Sequence, residues 1–347
     1  MTSFHALYRF FSTLAAWAVP CALILGGCSA SADGDPVASP WFDRTATLAY
    51  WTPARMAAAE RIPEAQTTLP VEAPITPGGD DIGYATVPPP YKRAEASRAT
   101  GILFFHDPFR NEDAHCTASV LATPSRRLIV TAAHCLVAFS GLPSLEWLQY
   151  PLFVPAYDGA RPLDDAQRAP FGYWPLRRVY VPAIAAQNPA YLLRSEYDLA
   201  IAGVFDQLGR PIGDVLDAGL APRVWAETEL PGPMPRMKTI GYPMCEGDLC
   251  QGDIQYPGSR QYACVSTGRT GPSTRSIALP NCGIGSGNSG GPILADDDHA
   301  PASTVMAVVH TPVDQTPLLP DTYPAMERMA EEDFAIPAKG TRHGIHD

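Results

Sequence analysis

From about residue 100 to residue 310 the chain is a succession of short apolar or alternating runs, each bounded by turn residues. The runs are Ile102–Phe105, Cys116–Ala122, Leu128–Ala132, Leu152–Pro155, Val179–Val181, Leu199–Val204, Met237–Gly241, Gln261–Thr267, Gly291–Leu294 and Val305–His310. Most are too short for amphipathic helices and are rich in Val, Ile, Leu and aromatics, so they predict β-strands. Strands at this density, with no long helical period between them, predict an all-β barrel or sandwich. The 37 prolines and 28 glycines favour the same mixture of short strands and many loops.

Two stretches lie outside this pattern. Arg9 is followed by an uncharged, mostly apolar run, Phe10 to Leu25, that closes on Leu25-Gly26-Gly27-Cys28. A positive start, an apolar segment and small residues predict a secretory signal over 1–27. The run is short for a membrane span and contains Pro20. Its end also resembles a lipobox, so Cys28 is expected to be acylated and to anchor an exported protein to a membrane, facing the periplasm or cell exterior. The plainer alternative is an ordinary signal with a chance cysteine. Residues 28–98 hold ten prolines between Pro36 and Pro90 and no sustained period, the composition of an extended tether or propeptide. Within it, Thr45 to Arg61 has room for one short helix. Residues 99–335 then form the folded domain, with a short helix after Pro324.

Charge and cysteines narrow the class. The formal charge is −11 with no Lys/Arg run, which argues against nucleic acid as a partner. Of eight cysteines, Cys21 lies in the signal and Cys28 is the lipid candidate. The remaining six are an even number in an oxidising compartment, so three disulfides are expected. The gap between Cys245 and Cys250 suits zinc, but no nearby Cys/His pair completes a site, and no metal or other cofactor is expected.

Three segments carry chemistry. Gly285-Ser286-Gly287-Asn288-Ser289-Gly290-Gly291-Pro292 is a glycine-rich turn able to expose a serine hydroxyl and aim backbone N–H groups at a developing oxyanion. A loop that merely needs glycine is the bland reading. Thr131-Ala132-Ala133-His134-Cys135 follows an apolar strand, and its small residues and cysteine would fix a general base in place. Tyr197-Asp198-Leu199-Ala200-Ile201 sets an aspartate before another apolar strand. Lying between that histidine and that serine, it is a candidate to orient the imidazole.

At these residues, in this order, the chain resembles the trypsin/chymotrypsin-like serine protease superfamily over about residues 100 to 315. The segments Phe153–Gly159, Phe171–Pro175 and Ile240–Pro243 resemble its bacterial glutamyl-endopeptidase-like branch. The resemblance implies a double six-stranded β-barrel of the chymotrypsin type with a short C-terminal helix, acting on protein or peptide substrates. It implies His134 as general base, Asp198 as its orienter, Ser289 as nucleophile, and the N–H groups of Gly287 and Ser289 as the oxyanion hole. Asn288 carries no charge, so the activating ion pair that pancreatic-type relatives form at this place cannot form here. Bridges Cys116–Cys135, Cys264–Cys282 and Cys245–Cys250 are implied. His310 stands where glutamyl endopeptidases place the histidine that binds an acidic side chain, with Thr311 backing the aspartate and Ile284 on the opposite pocket wall. Ile284 replaces the threonine usual there, and no glycine follows the histidine, so an apolar residue before the cut is the competing expectation.

Two other functions compete. Gly287-x-Ser289-x-Gly291 also fits the nucleophile elbow of lipases, but that fold orders its triad Ser, acid, His, and only 58 residues follow Ser289 here. The second is a catalytically inactive surface binding protein on a protease fold, against which stands the presence of all three triad residues. No H-E-x-x-H or similar pattern supports a metal-dependent hydrolase.

Overall fold

Strands of the first sheet are buried along much of their length rather than at alternate positions. In Leu128–Thr131 all four residues are buried, and in Trp174–Val181 only Arg177 and Arg178 are partly exposed. Such strands need cover on both faces, and the architecture supplies it: a small barrel fills its interior with side chains, while other segments wrap its outside.

The computed structural model describes residues 34–60, 82–138, 144–226, 230, 232–245, 256–282, 286–295, 304–311 and 314–335. The predicted signal 1–27, Cys28, Cys250 and Ile284 lie outside the described residues. In chain order the main elements begin with β1 (Val37–Ala38), α1 (Arg44–Tyr50), α2 (Pro53–Ala59) and β2 (Ile82–Thr86). Then come β3 (Thr100–Asp107), β4 (Glu112–Val120), β5 (Leu128–Thr131), β6 (Gln149–Pro155), β7 (Trp174–Val181) and β8 (Ala200–Val204). The second half holds β9 (Arg236–Gly241), β10 (Tyr262–Thr267), β11 (Pro292–Ala295), β12 (Thr304–Val309) and β13 (Gln315–Pro317), and a C-terminal helix spans Tyr323–Ala335. Each of the ten apolar runs overlaps one of these strands.

The first sheet runs β7-β8-β5-β4-β3-β6, and β6 pairs back onto β7 through Leu152↔Pro175 and Phe153↔Trp174, closing a six-stranded barrel. The second runs β13-β12-β11-β9-β10-β2, and no pairing among the described residues closes it. The chain is thus an all-β, chymotrypsin-type double barrel whose second half, among the described residues, is an open sheet. The C-terminal helix lies on the first barrel, where Arg178 and Tyr180 of β7 both bond Asp333.

The proline-rich stretch expected as a tether or propeptide folds onto the barrels wherever it is described. β1 pairs with β7, and β2 adds an edge to β10. Two helices stand where the sequence predicts one. Pro53 lacks an N–H to continue α1 and instead opens α2, whose N-cap Thr52 accepts from the Arg55 N–H at 3.2 Å. Trp51 and Met56 are buried, and the Trp51 indole donates to Tyr150 O at 2.6 Å.

Candidate active site

Asp198 is the centre of the site and has no exposed surface. A turn in which its N–H donates to Arg194 O at 3.0 Å delivers it to the start of β8. Its Oδ1 accepts the backbone N–H of His134 at 2.8 Å, and its Oδ2 lies 2.6 Å from His134 Nδ1. The buried β5 leads directly into His134 through Ala132 and Ala133, both without exposed surface. Cys135 fastens this turn by its bridge to Cys116 of β4. A second bridge joins Cys264 of β10 to Cys282.

Burial of Asp198 opposes its charge, but the charge and hydrogen bond of His134, joined by His310, outweigh it and hold the carboxyl down at about 2. The same balance acts on His134. Burial disfavours its cation, yet Asp198's charge and hydrogen bond leave the imidazole pKa above its usual 6.5. The pair therefore forms a fixed carboxylate holding an imidazole by Nδ1, the arrangement that presents Nε2 as a base.

The serine turn is sewn to the first barrel by one residue that the sequence does not single out. Thr117, next to Cys116 on β4, donates its N–H to Ser289 O at 2.9 Å and its hydroxyl to Gly287 O at 2.9 Å. The same hydroxyl accepts the Tyr242 N–H at 3.0 Å. Two glycines of the turn are obligatory. Gly287 and Gly290 have φ of +71° and +79°, and a Cβ on them would lie 2.4 Å from Tyr242 O and 2.0 Å from Thr131 Oγ1. Asn288 is fully buried, and the absent side chain of Gly241 makes room for its amide. A threonine inside an apolar strand carries no local signal of this role. Only its position beside a bridged cysteine hints at it.

His310 makes a contact that the sequence does not disclose. Its Nδ1 is 2.5 Å from Asp198 Oδ2, so it meets the buried aspartate. Thr311, expected to back that aspartate, instead turns to Asp314: its N–H donates to Asp314 O at 2.9 Å, and its hydroxyl accepts the Asp314 N–H at 3.2 Å. Ile284 and its neighbours 283–285 lie outside the described residues. Beside His134 opens a cleft of about 370 Å³, lined by Phe105, Ala114, Val137, Leu148 and Leu193 among others.

His134, Asp198 and His310 also form a cluster of the residue types that bind metals. Their N···O spacings of 2.6 and 2.5 Å are those of hydrogen bonds. Two ligands of one tetrahedral zinc stand about 3.3 Å apart. In the other such cluster, with His134, Cys116 and Cys135 are joined to each other.

The fold is that of the trypsin/chymotrypsin-like serine proteases, and 338 chains of solved structures match it. Among these, a thermostable serine protease, AL20, from an extremophilic microorganism is 17% identical over 69% of this chain and 99% of its own, with a TM-score of 0.53. The protease Anisep from Arthrobacter nicotinovorans is 20% identical over 65% of this chain and 92% of its own, with a TM-score of 0.49. A Glu endopeptidase in complex with MPD is 19% identical over 75% of this chain and 100% of its own, with a TM-score of 0.48. No protein-family model and no curated protein matches the sequence. At these identities the likeness establishes the fold and leaves the chemistry to the residues.

Proposed function

We propose that the protein is an exported serine endopeptidase that hydrolyses peptide bonds through an acyl-enzyme. The observation that carries this reading is the buried Asp198 carboxylate, which accepts both the backbone N–H and the Nδ1–H of His134. With Nδ1 so engaged, His134 Nε2 takes the proton of Ser289 as its oxygen attacks the scissile carbonyl carbon. The carbonyl π electrons move onto oxygen, and the N–H groups of Gly287 and Ser289 receive that oxyanion. Collapse breaks the C–N bond, and the imidazolium returns its proton to the leaving amine. Water, deprotonated by the same Nε2, then releases the acyl group and restores Ser289. The two disulfides fit an oxidising, extracytoplasmic compartment. Asp198 occupies one ring nitrogen of His310, so only the other remains for an acidic residue before the cut.

A serine-directed fluorophosphonate should label the wild-type protein and not Ser289→Ala. Mass spectrometry of a digested peptide mixture should show new termini from the wild type alone, a loss of several orders of magnitude in rate for the variant. An unlabelled, inactive but folded wild type would favour the alternative, a surface binding protein on a protease fold.

A further inference from the structure

We infer that His310 is a positioning residue for Asp198, a second imidazole that holds the carboxylate together with His134, rather than a receptor for the substrate's side chain. The inference deepens the serine-peptidase reading and rests on it for its catalytic meaning.

The geometry starts from the chain. Val309 of β12 is clamped against the serine turn: its carbonyl accepts the Gly290 N–H at 2.7 Å, and its own N–H donates to Gly291 O at 2.9 Å. The next residue is therefore fixed relative to Ser289. The His310 N–H donates to Gln315 Oε1 at 3.3 Å, and Gln315 Nε2 donates to Thr311 O at 3.2 Å, which braces the turn. From this place the His310 ring reaches back, 6.0 Å from the His134 ring between centroids, and puts Nδ1 2.5 Å from Asp198 Oδ2. Only 10% of the His310 side chain and none of the Asp198 side chain is exposed.

An ionised carboxylate can only accept, so His310 carries its proton on Nδ1. Asp198 Oδ2 then accepts from two imidazoles while Oδ1 accepts from the His134 backbone. Two consequences follow. His310 adds a second side-chain donor to Oδ2, so three donors in all restrain the carboxylate from rotating away from His134. And each donor draws on the same oxygen, so His310 makes Asp198 a weaker acceptor toward His134 and restrains the basicity of the His134 ring. Among the described residues, the leading charges on Asp198 are those of His134 and His310, and the leading charge on His134 is that of Asp198.

The test replaces His310 in the Ser289→Ala protein and follows the titration of His134 by NMR of the labelled imidazole, a readout that needs no turnover. His310→Phe keeps a ring without the donor, and His310→Asn restores an N–H near the place of Nδ1. In His310→Phe the His134 midpoint should rise by roughly 0.5–1 pH unit, the size expected for loss of one hydrogen bond to the carboxylate, and His310→Asn should bring it back. With Ser289 intact, His310→Phe should lower kcat/KM about tenfold and leave the ratio of Glu to Gln peptide cleavage unchanged. If circular dichroism shows His310→Phe unfolded, His310→Ser against His310→Ala gives the same comparison. An unmoved His134 midpoint, or a collapse of the Glu/Gln ratio without it, overturns the inference. A shifted midpoint in a protein that hydrolyses nothing would instead keep the positioning role and sink the peptidase reading.

Discussion

A buried carboxylate costs free energy unless its charge is matched, and Asp198 meets that condition with three donors from two histidines. Its lowered pKa has a defined effect on stability. A depressed carboxyl contributes above its unfolded value of about 3.8 and is lost as pH falls toward about 2, so acid destabilisation from this group belongs to that window. In the proposed mechanism the effect on activity runs through His134, whose pKa Asp198 raises above the usual 6.5. The base must be neutral to act, so kcat/KM should climb with pH along a limb whose midpoint lies above 6.5. Asp198→Asn removes the charge that raises it. That limb should move to lower pH, while kcat falls by about 10⁴ because the wrong tautomer is held. A pH–rate series on both proteins checks this. A wild-type limb centred below 6.5, or an Asp198→Asn enzyme with unchanged kcat, would contradict the assignment.

At the scale of elements, β4 holds the serine turn through Thr117, whose hydroxyl joins Gly287 O to the Tyr242 N–H. Thr117→Val preserves shape and removes both bonds, leaving a buried acceptor and donor unmet. It should cost about 1–3 kcal/mol and lower kcat more than it raises KM, since the turn that positions Ser289 is loosened. Urea denaturation and steady-state kinetics measure the two effects, and a variant matching the wild type in both would show the turn is held by other means. This contact also shows what the sequence can and cannot disclose. The strands are legible because apolar runs between turn residues are local signals, and His134, Asp198 and Ser289 are legible because each sits in a short, distinctive segment. Thr117 is 170 residues from Gly287, and His310 is 112 from Asp198. Such pairings arise only when the two barrels close on each other, so from sequence His310 reads toward the substrate and Thr117 as one more strand residue. β1 and β2 are hidden for a related reason. β1 is two residues long, and β2 is an edge strand completed by β10, so neither stands out against proline-rich surroundings.

Across the whole molecule, the N-terminal segment is built into the double barrel where the structure describes it, and Glu60 is its buried charged anchor. Glu60 is 5% exposed; Arg168 Nη2 donates to its Oε1 at 2.8 Å, and the Tyr157 hydroxyl donates to the same oxygen. Arg168 also donates through Nε to that hydroxyl at 2.8 Å and through Nη1 to Gly159 O and Arg161 O. One residue earlier, Ala59 O lies 3.1 Å from His115 Nδ1, whose Nε2 is 3.3 Å from Tyr242 O, the carbonyl packed beneath Gly287. The end of α2 is thus connected to the first barrel and to the support of the serine turn. Glu60→Ala would strand the buried Arg168 cation and should destabilise the protein by about 3–5 kcal/mol, whereas pairing Glu60→Leu with Arg168→Met removes the stranded charge and should recover part of that loss, the Tyr157 hydroxyl and the Gly159 and Arg161 carbonyls losing their donor. If residues 34–60 were only a removable covering, cutting their anchor would leave the barrels as stable as before. Urea midpoints of the single and double variants separate the two cases. A loss below about 1 kcal/mol for Glu60→Ala would mean that the anchor does not hold the segment.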